Sequence, residues 1–364
     1  MKTLRIIGLL GMALMLTSSA MAQTAEKPAT KPATKKPRVV ILATGGTIAG
    51  ASAASTDAGY QSGAVGIDAL VNAVPQMKDI ADVTGEQIAS IGSQDMNDEV
   101  WLKLAKRVNE LLADPKVAGV AITHGTDTME ETSYFLHLVV KSDKPVVLTG
   151  SMRPSTAMSA DGPLNIYNAV AIAADPKARG RGVLITVDDD IHSAHEIVKT
   201  HTTDVGTMSS GEVGLIGASL FGVNTWYRTP AQVHTKNSEL AVPATQTTLP
   251  RVDIIYAHAN MSPDVITNAA KSGAKGIVIA GVGDGNLTAP AMDAVKAVIA
   301  QGVIVVRSSR VNGGIIRRNI EVNDDEIGTV TSMELNPAKA RVLLQLVLVK
   351  NADAKKAQDY FNRY

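Results

Sequence analysis

The sequence predicts an α/β fold in two domains: a larger N-terminal domain with a mainly parallel sheet and flanking helices, and a smaller C-terminal α/β domain. From residue 38 onward, short apolar runs rich in β-branched residues alternate with helical patterns, which is typical of a parallel sheet covered by helices on both faces. The alternation lapses over 227–249, where proline, threonine and glutamine are frequent, and then restarts. The expected domains are therefore 38–226 and 250–364, with a linker at 227–249.

The first domain opens with a continuous apolar run at 38–43, which indicates a buried strand that enters a glycine loop. Asn97 is expected to cap a helix, because apolar side chains recur at 3.6-residue spacing from Val100 to Leu111. The other elements expected here are strands at 120–123, 145–148 and 183–187 and helices at 129–140 and 165–174.

The second domain repeats the pattern on a smaller scale. Its expected elements are strands at 252–257, 276–280 and 303–306 and helices at 264–272, 291–300 and after Pro337. Ligands of such sheets bind at the carboxyl ends of the strands. The polar residues that follow each strand are therefore the candidates for function.

The N terminus has the features of a signal peptide. Two basic residues precede an apolar run at 6–16, and the motif Ala-x-Ala follows at 20–22. The run is too short to span the roughly 30 Å of hydrocarbon in a bilayer. We therefore expect a signal peptide at 1–22, a low-complexity Pro/Ala/Lys tether at 23–37, and a periplasmic protein with no membrane contact after cleavage.

The composition excludes several kinds of chemistry. The chain contains no cysteine, which rules out a thiol nucleophile, thiolate metal ligation and disulfides. The net charge is zero, but 39–364 carries 28 basic and 34 acidic residues once the seven basic and one acidic residue of 1–38 are set aside. An acidic body argues against a nucleic-acid partner.

Two glycine-containing loops follow predicted strands and carry hydroxyl groups. The loop at 44–47 (TGGT) offers peptide N–H groups and two hydroxyls, although a glycine turn or a fragment of a nucleotide fingerprint would look the same. The loop at 123–128 (THGTDT) is more specific, because its run of polar groups exceeds what a helix N-cap needs. There Asp127 can accept an ammonium group or orient a base, and Thr126 can serve as nucleophile or proton relay if a lysine lies near.

Three other polar clusters have weaker interpretations. His192, His195 and His201 invite a zinc site, but the segment has no HExxH motif and no clear helical face, so we expect no metal. The acidic run at 188–190 is expected to be a solvated loop, with calcium binding as the alternative. The glycine loop at 281–286 looks like a phosphate cradle but lacks a lysine.

Taken together, these motifs are similar to those of the bacterial type II L-asparaginases, the secreted group of the asparaginase/glutaminase family. The similarity runs from Arg38 to the C terminus and rests on eight segments. In order they are ILATGGTIAG (41–50), IGSQDMND (91–98), ITHGTDTMEET (122–132), SMRPSTAMSADGPLNIYNAV (151–170), VKTHTTDV (198–205), AGVGDGNL (280–287), VVRSSRV (305–311) and LNPAKARVLLQL (335–346). The resemblance implies a homotetramer whose active sites lie between the N-terminal domain of one subunit and the C-terminal domain of its partner.

The resemblance also implies roles for individual residues. The matching positions are the nucleophile Thr47, the flap tyrosine Tyr60, the second triad Thr126, Asp127 and Lys199, the substrate-carboxylate contacts Ser93 and Gln94, and Asn286 and Glu321, which reach in from the neighbouring subunit. The ammonium group of an amino-acid substrate is expected at Asp127 and Glu321. Two positions depart from the family pattern: His195, where many relatives carry arginine, and Asp284, where asparagine is common.

The function that the resemblance implies is hydrolysis of L-asparagine to L-aspartate and ammonia through an acyl-enzyme, with no cofactor and with L-glutamine as a further substrate left open. A threonine that attacks an amide needs a base beside it, and the resulting oxyanion needs peptide donors. The alternative is a periplasmic amino-acid binding protein, which two α/β domains and a signal peptide also fit. Paired threonines with a lysine favour the hydrolase, because binding alone does not require them. A nucleotide-dependent enzyme is disfavoured, since phosphate and ribose fingerprints are missing.

Overall fold

A computed structural model gives the fold of residues 35–55 and 59–364. The predicted signal peptide lies outside these residues, and so does the predicted tether up to residue 34. Across the part of the chain that is described, no helix is long and apolar enough to cross a membrane.

The N-terminal part is built on an eight-stranded sheet. Its strands, with one separate ribbon, are β1 (Arg38–Gly45), β2 (Asp82–Ile91), β3 (Val117–Thr123), β4 (Val146–Thr149), β5 (Val183–Val187), β6 (Asp190–Ser193), β7 (Val198–Lys199), β8 (Met208–Ser209), β9 (Gly217–Leu220) and β10 (Val223–Trp226). The order in the sheet is β2-β1-β3-β4-β5-β6-β9-β10, and β7 pairs with β8 alone. The run from β2 to β5 is parallel, and β6, β9 and β10 extend it as antiparallel strands.

Helices cover both faces of this sheet because its central strands are apolar on both sides. The helices are α1 (Ile67–Ala73), α2 (Met77–Ile80), α3 (Asp98–Ala113), α4 (Met129–Val139) and α5 (Gly162–Ala174). Successive side chains of a strand point to opposite faces. Val40 and Leu42 of β1 accordingly join the core under α3 and α4, whereas Val39 and Ile41 join the core under α5.

A smaller sheet forms the C-terminal part. Its elements are β11 (Val252–Tyr256), α6 (Asp264–Lys271), β12 (Gly276–Gly281), α7 (Ala289–Ile299), β13 (Ile304–Ser309), α8 (Asp324–Ile327), β14 (Val330–Thr331), α9 (Pro337–Val349) and α10 (Ala354–Phe361). The four strands are parallel in the order β11-β12-β13-β14. Helices α6 and α7 cover one face, while α9 packs against the other face and against α4. The predicted fold class is confirmed.

The segment at 227–249 connects the two sheets. It contains one three-residue 3₁₀ turn, Thr235–Asn237, and is otherwise irregular. The Lys141 ammonium donates to the carbonyl oxygens of Ser238 and Leu240, at 2.6 Å each. The segment is therefore fastened to the N-terminal part.

The strands that the sequence did not predict lie mainly at the edges of the larger sheet. Strand β2 has one buried residue, Ile88, among ten, so it lacks the apolar pattern of an inner strand. Strands β6, β9 and β10 have only four residues each. The acidic run at 188–190 differs from the expected solvated loop: Asp188 and Asp189 form a tight turn with positive φ angles of 51° and 65°, and Asp190 begins β6.

Candidate active site

The neighbouring parallel strands β3, β1 and β2 have their carboxyl ends at the same edge of the sheet. The residues that follow these strands are in close contact. A Cβ atom on Gly46 would lie 2.3 Å from the peptide nitrogen of Gly125, and one on Gly125 would lie 2.5 Å from Ser93 Oγ. Gly46 also has a φ of 80°. Only glycine fits these contacts, which explains the glycines of both predicted loops.

Thr47 follows directly and starts a 3₁₀ turn, Thr47–Ala49. Its side chain is buried, and its Oγ1 lies 2.6 Å from the Oη of Tyr60. Tyr60 is carried by a returning segment that forms an isolated β-bridge between Ala51 and Gln61. The hydroxyl of Thr47 therefore has a phenol oxygen as its partner.

A second polar group forms where β3 ends. The ammonium of Lys199, on β7, donates to Thr126 Oγ1 at 2.8 Å and to Asp127 Oδ1 at 2.6 Å. Thr126 is buried, whereas the Asp127 side chain is 58% exposed. A lysine thus lies beside Thr126, which is the condition under which this threonine can act as nucleophile or proton relay.

Both groups open into one cavity of about 230 Å³. Its lining residues are Gly46, Thr47, Tyr60, Ser62, Ser93, Gln94, Thr126, Asp127, Met152, Lys199, Thr202 and Thr203. Ser93 Oγ accepts a hydrogen bond from the peptide N–H of Asp127 at 3.2 Å, so the ends of β2 and β3 are linked. Seven of the nine predicted site residues lie together here.

Four lining residues were missed: Ser62, Met152, Thr202 and Thr203. Thr126 Oγ1 donates to the Met152 sulfur at 3.3 Å, so this thioether contacts the second group. The segment VKTHTTDV contains Thr202 and Thr203, and its polar run next to Lys199 was the available signal. Met152 is an apolar residue before a proline loop, and nothing in its pattern indicates a site.

Asn286 and Glu321 do not line this cavity. They are hydrogen-bonded to each other beyond the carboxyl ends of β12 and β13, with Asn286 Nδ2 donating to Glu321 Oε2. The Glu321 side chain is exposed. Within this chain, the two residues form a separate polar pair.

His195 and Asp284, the two positions expected to depart from the family pattern, have different surroundings. His195 is buried, with its Nδ1 at 3.9 Å from Glu196 Oε1 and its Nε2 at 3.9 Å from Glu334 Oε1. Burial lowers the pKa of His195, and the charge of Glu196 partly offsets that effect. The Asp284 carboxylate is mostly buried and accepts hydrogen bonds from the Arg317 guanidinium at 3.0 and 3.2 Å.

The three histidines that invited a zinc site have separate partners. His192 contacts Ser210 Oγ through Nδ1 at 2.8 Å, while His201 Nδ1 accepts the peptide N–H groups of Thr203 and Asp204. Among the residues that the structure describes, no group of three or more histidine, aspartate or glutamate side chains is arranged to hold a metal ion.

His124, inside the predicted loop at 123–128, is fully buried. Burial lowers its pKa to about 4, which a hydrogen bond to the Gly125 carbonyl partly opposes. The ring is therefore neutral at neutral pH, and its Nδ1–H donates to that carbonyl at 2.7 Å. The loop is held in place without adding a positive charge beside the cavity.

Comparisons with known proteins find relatives over most of the chain. A family model described as "Asparaginase, N-terminal" matches residues 38–232, and one described as "Glutaminase/Asparaginase C-terminal domain" matches residues 251–361. The chain is 50% identical over 328 residues to L-asparaginase 2 of Escherichia coli (strain K12), with 90% of this chain and 93% of that protein covered. It is 49% identical over 328 residues, with the same coverage, to a probable periplasmic L-asparaginase of Haemophilus influenzae. A solved structure, a probable cytoplasmic L-asparaginase from Campylobacter jejuni, matches with a TM-score of 0.87 at 47% identity, covering 90% of this chain and all of that one.

Proposed function

Because the chain belongs to the asparaginase family, we propose that it hydrolyses the side-chain amide of L-asparagine and that Thr47 makes the attack. The observation that carries this assignment is the 2.6 Å contact between Thr47 Oγ1 and Tyr60 Oη at the wall of the cavity. A threonine hydroxyl is a weak nucleophile until a neighbouring group takes its proton. We assign this step to Tyr60, whose hydroxyl oxygen contacts the Thr47 hydroxyl.

In the first half of the reaction, Thr47 Oγ1 bonds to the amide carbon while its proton leaves along the contact with Tyr60. Tyr60 can accept that proton as a phenolate, or by passing its own proton onward. The peptide N–H groups of the turns after β1 and β3 are the candidate donors to the oxyanion. The C–N bond then breaks, ammonia leaves with an added proton, and an aspartyl ester remains on Thr47.

In the second half, water attacks the ester, and Thr126, Asp127 and Lys199 supply the polar group beside it. Lys199 acts either as a proton acceptor or as a charged brace for Thr126, and both roles require the 2.8 Å contact between them. Breaking of the ester returns the proton to Thr47 and releases L-aspartate.

The remaining polar groups recognise the substrate's α-carbon substituents. We assign Ser93 and Gln94 to the substrate's carboxylate and Asp127 to the substrate's ammonium group. Thr126, next to Asp127, borders the same part of the cavity. A cavity of about 230 Å³ suits a small amino acid. The additional methylene of L-glutamine changes binding by only about 1–3 kcal/mol, so hydrolysis of glutamine is expected as a weaker side activity.

Ammonia release from L-asparagine tests the assignment. Thr47→Ala is expected to abolish turnover while substrate binding, measured by calorimetry, is retained, because the hydroxyl contributes to chemistry more than to packing. Thr267→Ala, which changes a threonine on α6 whose hydroxyl bonds only to the Asp264 carbonyl, is the matched control. Near-wild-type turnover of Thr47→Ala would make Thr126 the attacking residue. Binding without ammonia release in the wild type would favour the binding-protein alternative.

We also propose a homotetramer in which Asn286 and Glu321 complete the cavity of a neighbouring subunit. Three observations support it: neither residue lines the cavity of its own chain, Glu321 is exposed, and large apolar side chains are exposed nearby, namely Val311, Ile315 and Ile320. Apolar exposure of this kind is typical of a surface that another protein covers.

Mixed subunits test the shared site. Thr47→Ala and Glu321→Ala are each expected to be inactive, but exchange of their subunits through mild denaturation should restore some activity. One hybrid site then takes Thr47 from one subunit and Glu321 from the other. A mixture that stays inactive despite confirmed hybrid formation would mean that each site is built within one chain.

For localisation we propose the periplasm, after cleavage between Ala22 and Gln23. The basic, apolar and small-residue pattern of 1–22 and the relative named as periplasmic support it. Mass spectrometry of the protein from a periplasmic fraction is expected to give Gln23 as the first residue. Recovery of uncleaved protein in the cytoplasm would contradict the proposal.

A further inference from the structure

A fully buried ion pair lies under the loops that carry Asn286 and Glu321. Arg307 of β13 and Asp324 of α8 are 1% and 0% exposed. Their contact is bidentate, with Nε to Oδ1 at 2.6 Å and Nη2 to Oδ2 at 2.8 Å. No part of this pair lines the cavity that holds Thr47.

The arginine holds the first loop. Its Nη1 donates to the carbonyl oxygens of Asp284 at 2.9 Å and Gly285 at 3.3 Å, the two residues before Asn286. The loop is closed by paired peptide hydrogen bonds between Val282 and Asn286, at 2.8 and 3.1 Å. The space that suggested a phosphate cradle is thus occupied by the protein's own guanidinium.

The aspartate holds the second loop. Its Oδ2 accepts the peptide N–H of Asn319 at 3.0 Å, two residues before Glu321, and its Oδ1 accepts the Thr329 hydroxyl at 2.5 Å. Burial raises the pKa of Asp324, but the hydrogen bonds from Arg307, Thr329 and Asn319 lower it more, so the carboxyl group stays ionised. One ion pair therefore connects both loops.

Stability alone does not explain a buried ion pair. Removing two charges from water is costly, and replacement of such pairs by apolar residues of similar volume is often neutral or stabilising. What an apolar replacement cannot supply is a rigid, planar set of donors that fixes two backbone segments at once.

A second ion pair connects the same loops nearer the surface. Asp284 accepts from the Arg317 peptide N–H at 3.1 Å and from its guanidinium at 3.0 Å. The Arg317 side chain is 61% exposed, so this pair is the more weakly held of the two.

We propose that Arg307 and Asp324, with Asp284 and Arg317 above them, are positioning residues that hold Asn286 and Glu321 ready for a neighbouring subunit's substrate. The inference rests on the proposed shared site. It also gives a role to Asp284, whose carboxylate forms an ion pair with the Arg317 guanidinium at 3.0 Å.

Single substitutions give the first test. Arg307→Met is expected to raise the KM for L-asparagine about tenfold, which corresponds to about 1.4 kcal/mol, with a smaller change in kcat, because a displaced Glu321 weakens contact with the ammonium group. Arg317→Ala should raise KM by less. Because the Arg317 side chain is mostly exposed, this substitution leaves no cavity in the core. Arg107→Met, which removes a bidentate pair with Glu86 on the first domain, is the control and should leave KM unchanged.

The hybrid experiment gives the second test, because it separates positioning from general destabilisation. Arg307→Met is placed either in the Thr47→Ala subunit, which donates Glu321 to the rescued site, or in the Glu321→Ala subunit, which donates Thr47. We expect the KM of the rescued activity to rise only in the first arrangement. An equal effect in both arrangements, or none in either, would overturn the inference. If Arg307→Met prevents folding, Arg317→Ala is used in the same two arrangements.

The two proposals fail in different ways. If the parent hybrids show no rescue, the shared site is wrong, and unchanged KM values for both arginine variants in the otherwise wild-type enzyme would reject the positioning role as well. If rescue occurs and the two arrangements do not differ, only the positioning role is rejected.

Discussion

Lys199 connects two side chains that differ strongly in exposure, a buried threonine and an exposed aspartate. Replacement by methionine is expected to lower kcat by on the order of 100- to 10,000-fold, because both the proton acceptor and the charge are lost. Lys199→Arg separates the two roles, since arginine keeps the charge but does not lose a proton in proteins. Steady-state kinetics decide: substantial kcat in the arginine variant eliminates the general-base role, and a loss as large as that of methionine eliminates the brace.

Residues in the two loops at strand ends could be predicted from the sequence because their position and chemistry are local. The loops that carry Thr47 and Thr126 each begin where an apolar run ends, so a polar site at the sheet edge was expected. Lys199 is 72 residues from Asp127 and lies on a strand of two residues. No periodicity indicates such a position, and only the family resemblance assigned it. Met152 was assigned to the site neither by its position in the sequence pattern nor by the family resemblance.

At the scale of elements, the turn after β1 depends on the absence of a side chain at Gly46. Gly46→Ala would place a Cβ 2.3 Å from the Gly125 peptide nitrogen. Relieving that overlap requires one of the two loops to shift, which would move Thr47 or Thr126. A displacement of about 1 Å at reacting groups can cost about 100-fold in rate, and we expect a loss in kcat/KM of that order together with a lower Tm. Gly66→Ala, where a Cβ would meet nothing within 4 Å, should change neither; equal effects of the two substitutions would refute the close-contact explanation.

In the larger sheet, the inner parallel strands were predictable and the strands toward its two edges were not. The strand expected at 38–43 and the helix capped by Asn97 are found as β1 and α3, where Asn97 accepts the Val100 peptide N–H at 3.1 Å. Burial on two faces produces continuous apolar runs, and an amphipathic helix produces a 3.6-residue period. Strand β2 and the hairpin of β9 and β10 are half-exposed, so their sequences lack such a pattern. The domain limits at 226 and 250 stay predictions.

At the scale of the whole molecule, buried histidines make stability depend on pH. Burial lowers the pKa of His192 to about 4, while an unfolded chain has a histidine pKa near 6.5. Its contribution is fully present above about pH 6.5 and is lost as the pH falls toward 4, because the unfolded state takes up the proton first. Between about pH 6.5 and 4, each unit by which the pH is lowered should therefore reduce the free energy of unfolding by about 1.4 kcal/mol from this group alone.

Chemical denaturation of the wild type and of His192→Gln between pH 7 and 4.5 measures this contribution. The glutamine variant is expected to lose stability less steeply over that range. The same direction applies to His124, His137 and His234, whose pKa values burial also lowers. Parallel curves for wild type and variant would show that His192 titrates in the folded protein as it does in the unfolded chain.

The position of the acyl group in the intermediate identifies the threonine that attacks the amide. Enzyme and L-asparagine are mixed, quenched with acid within the first turnover, and digested, and the peptides are mapped by mass spectrometry. We predict an aspartyl ester on Thr47, absent from Thr47→Ala. An ester on Thr126, or an adduct that persists in Thr47→Ala, would rule out Thr47 as the nucleophile.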